Sequence, residues 1–490
     1  GAVDNTGYVS YYSDPGASLL VVAPSSGSTS VGITTDDATG GTTSSFGGTS
    51  AATPEITGIT ADMLQADPNL GWRDVQEILA LTARHTGSAI GAGPTGYEEY
   101  TWSFNGAHNW NGGGLHFSND YGFGLVDAFA AVEVARTWSY VMPTPQDSAN
   151  ELTATANDYG YWNIGGGHTT TMTFNIGQHM AVEEMALNFP TLSFLNANDL
   201  TITLTAPDGT VSTLLNDNGG TGAAIGYGWE FMSRAFMDED AYGTWTVSIT
   251  DNNTHDLGNV FSASLIAYGG ATTDNSVFFY TDEFAEYWTA ARGTLSYSGG
   301  PAAIDAAATT GGMNLNLLTG QGTLDGHPLT IAAGTIVTKV ITGDGNSTVI
   351  GNNYGDTLVG GLGNDTLIGG TGANVLDGGL GVNTLTGGGG APNQFVLHPA
   401  GLDAITDFRS GIDRLVVHAA EMGGAIQAGG INTSDFLIGS AATANGPAGS
   451  LIFDPTLENL YYEATTGAAL QQLVHFTNNV KITSHDVVVA

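Results

Sequence analysis

Phe46-Gly47-Gly48-Thr49-Ser50-Ala51-Ala52-Thr53-Pro54 decides how the rest of the chain is read. A serine stands between a glycine-rich turn and a run of small residues. From Ala51 to Leu64 the sequence continues as a good helix pattern. A nucleophilic serine requires this setting. Where a loop becomes a helix, the hydroxyl is exposed and the backbone can approach a substrate closely. The helix N-terminus favours the negative charge that develops on an attacked carbonyl. Small neighbours keep side chains out of the cleft. A serine at the start of an ordinary helix is more often only a cap. Nine residues in this order, with the flanks described next, favour Ser50 as a nucleophile.

A serine hydroxyl needs a base, and the base needs a carboxylate to hold it. Only 49 residues precede Ser50, and none is a histidine; the first is His85. His85, His108 and His116 follow the serine at loop positions and are poor substitutes. Ser18 to Pro24 reads as a buried strand. Downstream, Asp67 to Leu79 combines a turn with an amphipathic helix, Val75, Ile78, Leu79 and Thr82 lying on one face. The stretch Asn119-Asp120-Tyr121-Gly122-Phe123-Gly124-Leu125-Val126-Asp127-Ala128 opens another helix, running to Trp138.

The nonapeptide around Ser50 resembles the G-T-S-x-x-x-P signature of subtilisin-like serine proteases. The Trp72-Arg73-Asp74-Val75-Gln76 and Tyr121-to-Ala128 landmarks resemble the kexin/furin branch of that family. The resemblance implies that residues 1–140 are the C-terminal part of an α/β catalytic domain, with Ser50 attacking the scissile carbonyl and its own N–H as one oxyanion donor. In that family the Asp, the His and the oxyanion Asn lie upstream of the serine. The expectation is therefore a fragment that needs a missing N-terminal catalytic segment. A layered domain without its first strands exposes sheet edges and apolar helix faces, so this segment is expected to be the least protected. Cleavage after basic residues would follow by analogy only: Asp14, Asp36 and Asp37 are present, but loop acids are ordinarily solvated.

Composition agrees with a secreted protein. The formal charge is 9 − 47 = −38, while only 11% of residues are charged, so the acidity reflects scarce Lys and Arg. Such a chain repels nucleic acid and anionic membranes and attracts divalent cations. With 72 glycines and no cysteine, calcium takes the place of disulfides as the expected staple. No apolar run reaches the roughly 18 residues a membrane span needs.

Residues 147–270 read differently. Short alternating runs, Thr169 to Ile176, Asp199 to Ala206, Gly243 to Thr250 and Val260 to Tyr268, are separated by Gly, Asn and Asp turns, the pattern of a β-sandwich or jelly roll. The run Asp199 to Thr210 with Gly243-Thr244-Trp245 resembles the P domain (P/Homo B) that follows the catalytic domain in kexin-like proteases, a domain that supports folding and carries no chemistry. Asp199, Asp208 and Asp217 could bind calcium, although turn acids are usually just solvated.

Within residues 274–490 a nine-residue period begins at Thr342: Thr342 to Ile350, Gly351 to Val359, Gly360 to Ile368, Gly369 to Asp377 and Gly378 to Thr386. The glycine half of each unit makes a turn whose carbonyls and acid oxygens face a hard cation. The other half is a short strand with one inward apolar residue: Val349, Leu358, Leu367, Leu376 or Leu385. A flexible Gly/Asn-rich linker would not keep five units in register. The period resembles the G-G-x-G-x-D-x-U-x repeat of RTX proteins, a parallel β-roll spanning about 342–390. Two repeats make one coil, so the sixth positions stack as 347/365, 356/374 and 365/383, each pair with one carboxylate where the family pattern has two. The calcium ligands implied are Asp344, Asn346, Asp356, Gly361, Gly363, Asp365, Gly370, Gly372, Asn374, Gly379, Gly381 and Asn383. Trp288 to Gly300, Leu329 to Thr335 and Ile405 to Leu415 resemble the serralysin C-terminal domain, without that family's zinc motif. The ending Asp486-Val487-Val488-Val489-Ala490 resembles a signal read by bacterial type I exporters.

The reading is a secreted, extracellular, calcium-dependent serine endopeptidase of multidomain α/β plus all-β class, acting on protein or peptide substrates, with no nucleic-acid partner and no membrane insertion. The rival is a non-catalytic secreted calcium-binding or adhesin-type protein that kept a subtilase remnant.

Overall fold

The structure, a computed structural model, describes all residues except 29–30, 191, 194–198, 217–227, 254–256, 272–275, 423–425, 432–433, 441–446 and 467. The chain forms two compact units, Gly1–Asn275 and Ser276–Ala490.

The first part of the first unit places three helices, α1 (Thr49–Ala66), α2 (Trp72–Thr82) and α3 (Ala128–Val141), among short strands. The apolar run Ser18 to Pro24 is mostly extended loop. Only Ala23–Pro24 is a strand, paired in parallel with Ala2–Val3, while Val22 bridges to Leu125. Val3, Val9, Val22, Trp102 and Tyr121 form a small core, and the Trp102 and Tyr121 rings stack at 5.1 Å. α3 begins at Ala128, later than Asn119, because Asp127 caps it by accepting the Ala130 N–H at 3.0 Å. α2 buries Ile78, Leu79 and Thr82 as its periodicity predicts. α1 differs: only Ala51, Ala52 and Met63 are buried, and Pro54, Ala61 and Leu64 are exposed.

The rest of this unit is a sandwich. One sheet runs Val211–Leu215, Leu200–Thr205, Gly243–Asp251, Thr169–Ile176, and the other runs Trp229–Ser233, Ala181–Phe189, Ala263–Gly270, Leu152–Asp158. Both are antiparallel throughout. Period-2 alternation sends Met172, Phe174, Leu200, Ile202, Leu204, Trp245, Val247 and Ile249 inward. The sandwich also grips the helical part. The buried Arg73 guanidinium at the start of α2 pairs with Glu183, Nε to Oε2 at 2.8 Å and Nη2 to Oε1, and Arg234 joins Glu184 to Gln76 of α2. α2 is thus covered where α1 is not, so only part of the helical segment has the exposure expected of it.

The second unit is built on a roll of parallel strands, flanked by antiparallel strands such as Met313–Asn316 with Gln321–Leu324 and Ser450–Asp454 with Asn459–Glu463. Thr357–Val359 pairs with Val375–Asp377 in one sheet, and Thr348–Ile350, Thr366–Ile368 and Gly381–Thr386 follow one another in the other. Partners lie 18 residues apart, two nonapeptides per coil. Val349, Leu358, Leu367, Leu376 and Leu385 are all fully buried between the sheets. The coil continues beyond the repeats through Gln394–Leu397, Gly401–Ile405 and Arg414–Val417. The last strand, Val487–Val489, pairs in parallel with Arg414–Val417.

Candidate functional site

Ser50 is the second residue of α1. Gly48 precedes the helix at φ +87°, ψ 167°, a conformation that suits glycine and turns the chain sharply into the helix. Ser50 is exposed and, among the described residues, its hydroxyl has no hydrogen-bond partner. At this position the helix supplies no acceptor for the Ser50 N–H, which leaves it available to an incoming oxygen. The Thr53 hydroxyl is engaged within the helix, its Oγ1 donating to the Thr49 carbonyl at 2.9 Å.

The turn is held from below by residues that carry no motif. Ser25 Oγ donates to the Gly48 carbonyl at 2.9 Å. The Tyr12 hydroxyl lies 2.8 Å from Ser25 Oγ and 2.7 Å from the Ser26 carbonyl, and it accepts the Ser26 N–H at 3.0 Å. A side chain at Gly47 would strike Ser26, its Cβ 2.0 Å from Oγ. Tyr12 and Ser25 are thus the shelf on which the serine turn rests.

The histidines lie elsewhere. His85 Nε2 is 2.8 Å from the Ser88 carbonyl, His116 is buried among Trp102 and Trp110, and neither they nor the exposed His108 is bonded to Ser50. Asp37 closes the hairpin between Ile33–Asp36 and Thr42–Phe46 by accepting from Thr39 and Gly41. Asp14 and Asp36 are exposed.

In the roll, the sixth residues of the repeats form two ladders. On one side Asp365 Oδ1 accepts the Ser347 N–H at 2.7 Å and Asn383 Oδ1 accepts the Asp365 N–H at 2.9 Å. On the other, Asn374 Oδ1 accepts the Asp356 N–H at 2.9 Å. Asn346 Oδ1 takes the Asn364 N–H in an outer row. Asp344 is half-buried, its N–H donating to the Thr309 carbonyl. Gly361, Gly363, Gly370, Gly372, Gly379 and Gly381 lie where adjacent coils touch backbone to backbone. At Gly370 a Cβ would sit 1.3 Å from the Asn352 carbonyl oxygen, and at Gly381, φ +93°, 2.1 Å from that of Gly363.

Burial pushes the Asp356 and Asp365 carboxyls up to about 6. Asp356 Oδ1 is buried without a hydrogen-bond partner among the described residues. Oxygen donors, a bare carboxylate oxygen and coils packed carbonyl to carbonyl fit a calcium ion.

Both ladders outrun the repeats. Asn383 Nδ2 donates to Asp403 Oδ1 at 3.0 Å, Asn393 Oδ1 accepts the Asn374 N–H at 3.0 Å, and Asp413 Oδ1 accepts the Asn393 N–H at 2.9 Å. The second ladder ends on Arg409. Its Nη2 and Nε reach Asp413 at 2.8 and 3.1 Å, and Nη2 also donates to the Ala391 carbonyl at 2.5 Å. These residues are spaced 19 or 20 apart, so a strict period of 18 misses them.

Family models agree with this layout. Residues 1–124 match the subtilase family, residues 190–266 the proprotein convertase P-domain, and residues 341–376 and 359–391 the RTX calcium-binding nonapeptide repeat. The chain joins a subtilase segment, a P domain and RTX repeats. Human furin is 33% identical over 268 residues, covering 54% of this chain and 32% of furin. Human proprotein convertase subtilisin/kexin type 4 is 31% identical over 276 residues, covering 55% and 34%. The chain thus spans about a third of the length of these relatives. Among solved structures, the Aeromonas sobria serine protease in complex with the chaperone ORF2 is 20% identical, covering 55% of this chain and 56% of that one, with a TM-score of 0.43. The subtilase segment holds Ser50, a sandwich strand just before the matched P-domain residues supplies Glu183 for Arg73, and the RTX repeats carry the ladders. Asp199 lies in the P domain and accepts from Asn253 Nδ2, whereas Asp217 lies outside the described residues. Among the described residues no helix is long and apolar enough to cross a membrane.

Proposed function

We propose that this chain is the nucleophile-bearing part of a secreted, calcium-dependent serine endopeptidase that cleaves proteins or peptides. The observation that carries the reading is Ser50 itself: exposed, on the first turn of α1, behind a positive-φ glycine, with a free N–H beside it. That geometry lets the hydroxyl attack a carbonyl while the helix start receives the oxyanion. The base and its carboxylate would come from a catalytic segment outside these 490 residues, joining against the open face of α1. Calcium in the RTX repeats would be held by Asp344, Asn346, Asp356, Asp365, Asn374 and Asn383 with main-chain oxygens of the glycine turns. Export by a type I apparatus and an extracellular site of action fit the acidity, the absence of cysteine and the RTX repeats.

The test is labelling with a fluorophosphonate. Alone, the 490-residue chain is expected not to react, because losing the base of such a triad costs on the order of a millionfold, the figure known for subtilisin itself. With the catalytic segment restored, Ser50 is expected to label and Ser50→Ala to abolish both labelling and proteolysis. Proteolysis that survives Ser50→Ala moves the nucleophile elsewhere, and a restored protein that neither labels nor cleaves supports the non-catalytic calcium-binding alternative.

A further inference from the structure

Between the subtilase segment and the P domain, residues 105–113 face residues 234–241. Asn105 Nδ2 donates to the carbonyls of Ala235 at 3.1 Å and Met237 at 2.8 Å. The Gly106 N–H donates to Glu239 Oε1 at 2.8 Å, and Asn109 Nδ2 to Asp238 Oδ2 at 3.2 Å. Glu239 and Asn109 are each only 3% exposed. Each therefore has one atom engaged across the seam and one left over. Glu239 Oε2 and Asn109 Oδ1 are both buried with no hydrogen-bond partner among the described residues.

A third oxygen donor lies beside Glu239, the neighbour of the Asp238 that holds Asn109. Asp208, in the turn between Ala206 and Thr210, presses its carboxylate on Gly106, where an added Cβ would fall 1.8 Å from Oδ2. Its Oδ1 accepts the Thr210 N–H at 2.8 Å. Asp208 also faces Glu239, whose carboxyl is pushed up to about 8 by burial and by that neighbouring acid, against the pull of the Gly106 N–H and Thr210. A buried carboxylate oxygen and a buried carboxamide oxygen, each without a partner, are costly to leave bare, the more so with a second carboxylate at the mouth of the seam facing Glu239. A cation removes the cost. The donors are all oxygens with no nitrogen or sulfur, which selects a hard ion such as calcium over zinc or copper.

We propose that Glu239, Asp208 and Asn109 bind a calcium ion at the seam, tying the P domain to the subtilase segment independently of the RTX repeats. Asp238 positions Asn109 through its amide nitrogen and leaves the carbonyl oxygen for the ion.

Two measurements on the full 490-residue chain test this. Calcium-stripped crystals soaked in terbium should show anomalous scattering beside Glu239 and Asn109 as well as in the roll; peaks in the roll alone overturn the proposal. By equilibrium dialysis, Glu239→Gln, with its fold checked by circular dichroism, should bind one calcium fewer than the parent, whereas Asp365→Ala loses only roll calcium. An unchanged count in Glu239→Gln means that Glu239 merely keeps a proton, and the proposal fails. Asp208→Asn, on an exposed turn where folding is not at stake, is expected to weaken the seam ion about tenfold by removing one ligand charge. Should Glu239→Gln not fold, equal calcium binding by Asp208→Asn and the parent is equally fatal.

Discussion

The same substitution should have opposite signs at Gly58 and Gly370. Gly58 lies inside α1 with nothing within 4 Å of an added Cβ. Alanine there restricts the unfolded chain and favours the helix, so Gly58→Ala is expected to stabilise the first unit by about 1 kcal/mol. At Gly370 the Cβ would overlap the Asn352 carbonyl, and Gly370→Ala should cost the roll about 3 kcal/mol or more. Urea denaturation of the calcium-loaded chain, followed for each unit, checks both. The turn and helix start around Ser50 were legible in the sequence because they are local, a glycine pair, small neighbours and a helix pattern within nine residues. Tyr12 and Ser25 were not. Their roles depend on contacts with Ser26 and Gly48 made in space, and a tyrosine next to a serine has no periodicity to betray it.

Among elements, calcium held in the RTX coils as proposed would have to compete with protons. Asp356 and Asp365 titrate at about 6 in the folded roll, above the ordinary unfolded value near 4. Groups raised in this way favour the protonated form, so the calcium-free roll loses stability as the pH rises from about 4 to 6 and changes little above. Calcium must displace those protons. Its apparent affinity should therefore be roughly tenfold lower at pH 5 than at pH 7.5. Calcium titrations by circular dichroism at the two pH values measure this, and equal midpoints would refute it. Asp365 touches the coils on both sides, accepting from Ser347 and donating to Asn383, whereas Asp356 has Asn374 on one side and its own turn's Asn352 N–H. Asp365→Ala should cost more calcium-induced order than Asp356→Ala. The five repeats could be read because an inward leucine or valine and a glycine turn recur every nine residues. Asn393, Asp403 and Asp413 extend the same ladders but follow one- or two-residue insertions, which strand pairing tolerates and a fixed period does not.

For the molecule as a whole, the fate of the subtilase segment rests on Arg73. The sequence marked it as part of a landmark, but nothing local points to Glu183, 110 residues away. Removing one member of a buried ion pair leaves the other charge unbalanced, at a cost of about 3 to 5 kcal/mol. Arg73 also holds Asn150 Oδ1 at 3.0 Å, so the loss reaches the link that joins α3 to the sandwich. In the parent, limited proteolysis should nick the exposed Ile33–Phe46 hairpin and α1 first, while α2 and the P domain resist together. In Arg73→Ala, cleavage should spread through α2 before the P domain is cut. If both proteins give the same digestion order, the P domain does not protect that helix. Protection of α2 was not foreseeable from its own sequence, because it is conferred by the sandwich residues Glu183 and Arg234.

Arg409 gives the roll a direction. A chelator can draw diffusible ions from between the coils, but it cannot draw out a guanidinium that is part of the chain. The Asp413 rung keeps its positive charge when every loosely held ion has gone. Stripped of the proposed calcium, the coils nearest Thr342 would be without cations while those nearest Arg409 still had one, so the ladder should fray from its early rungs towards this riveted end and close again in the reverse order.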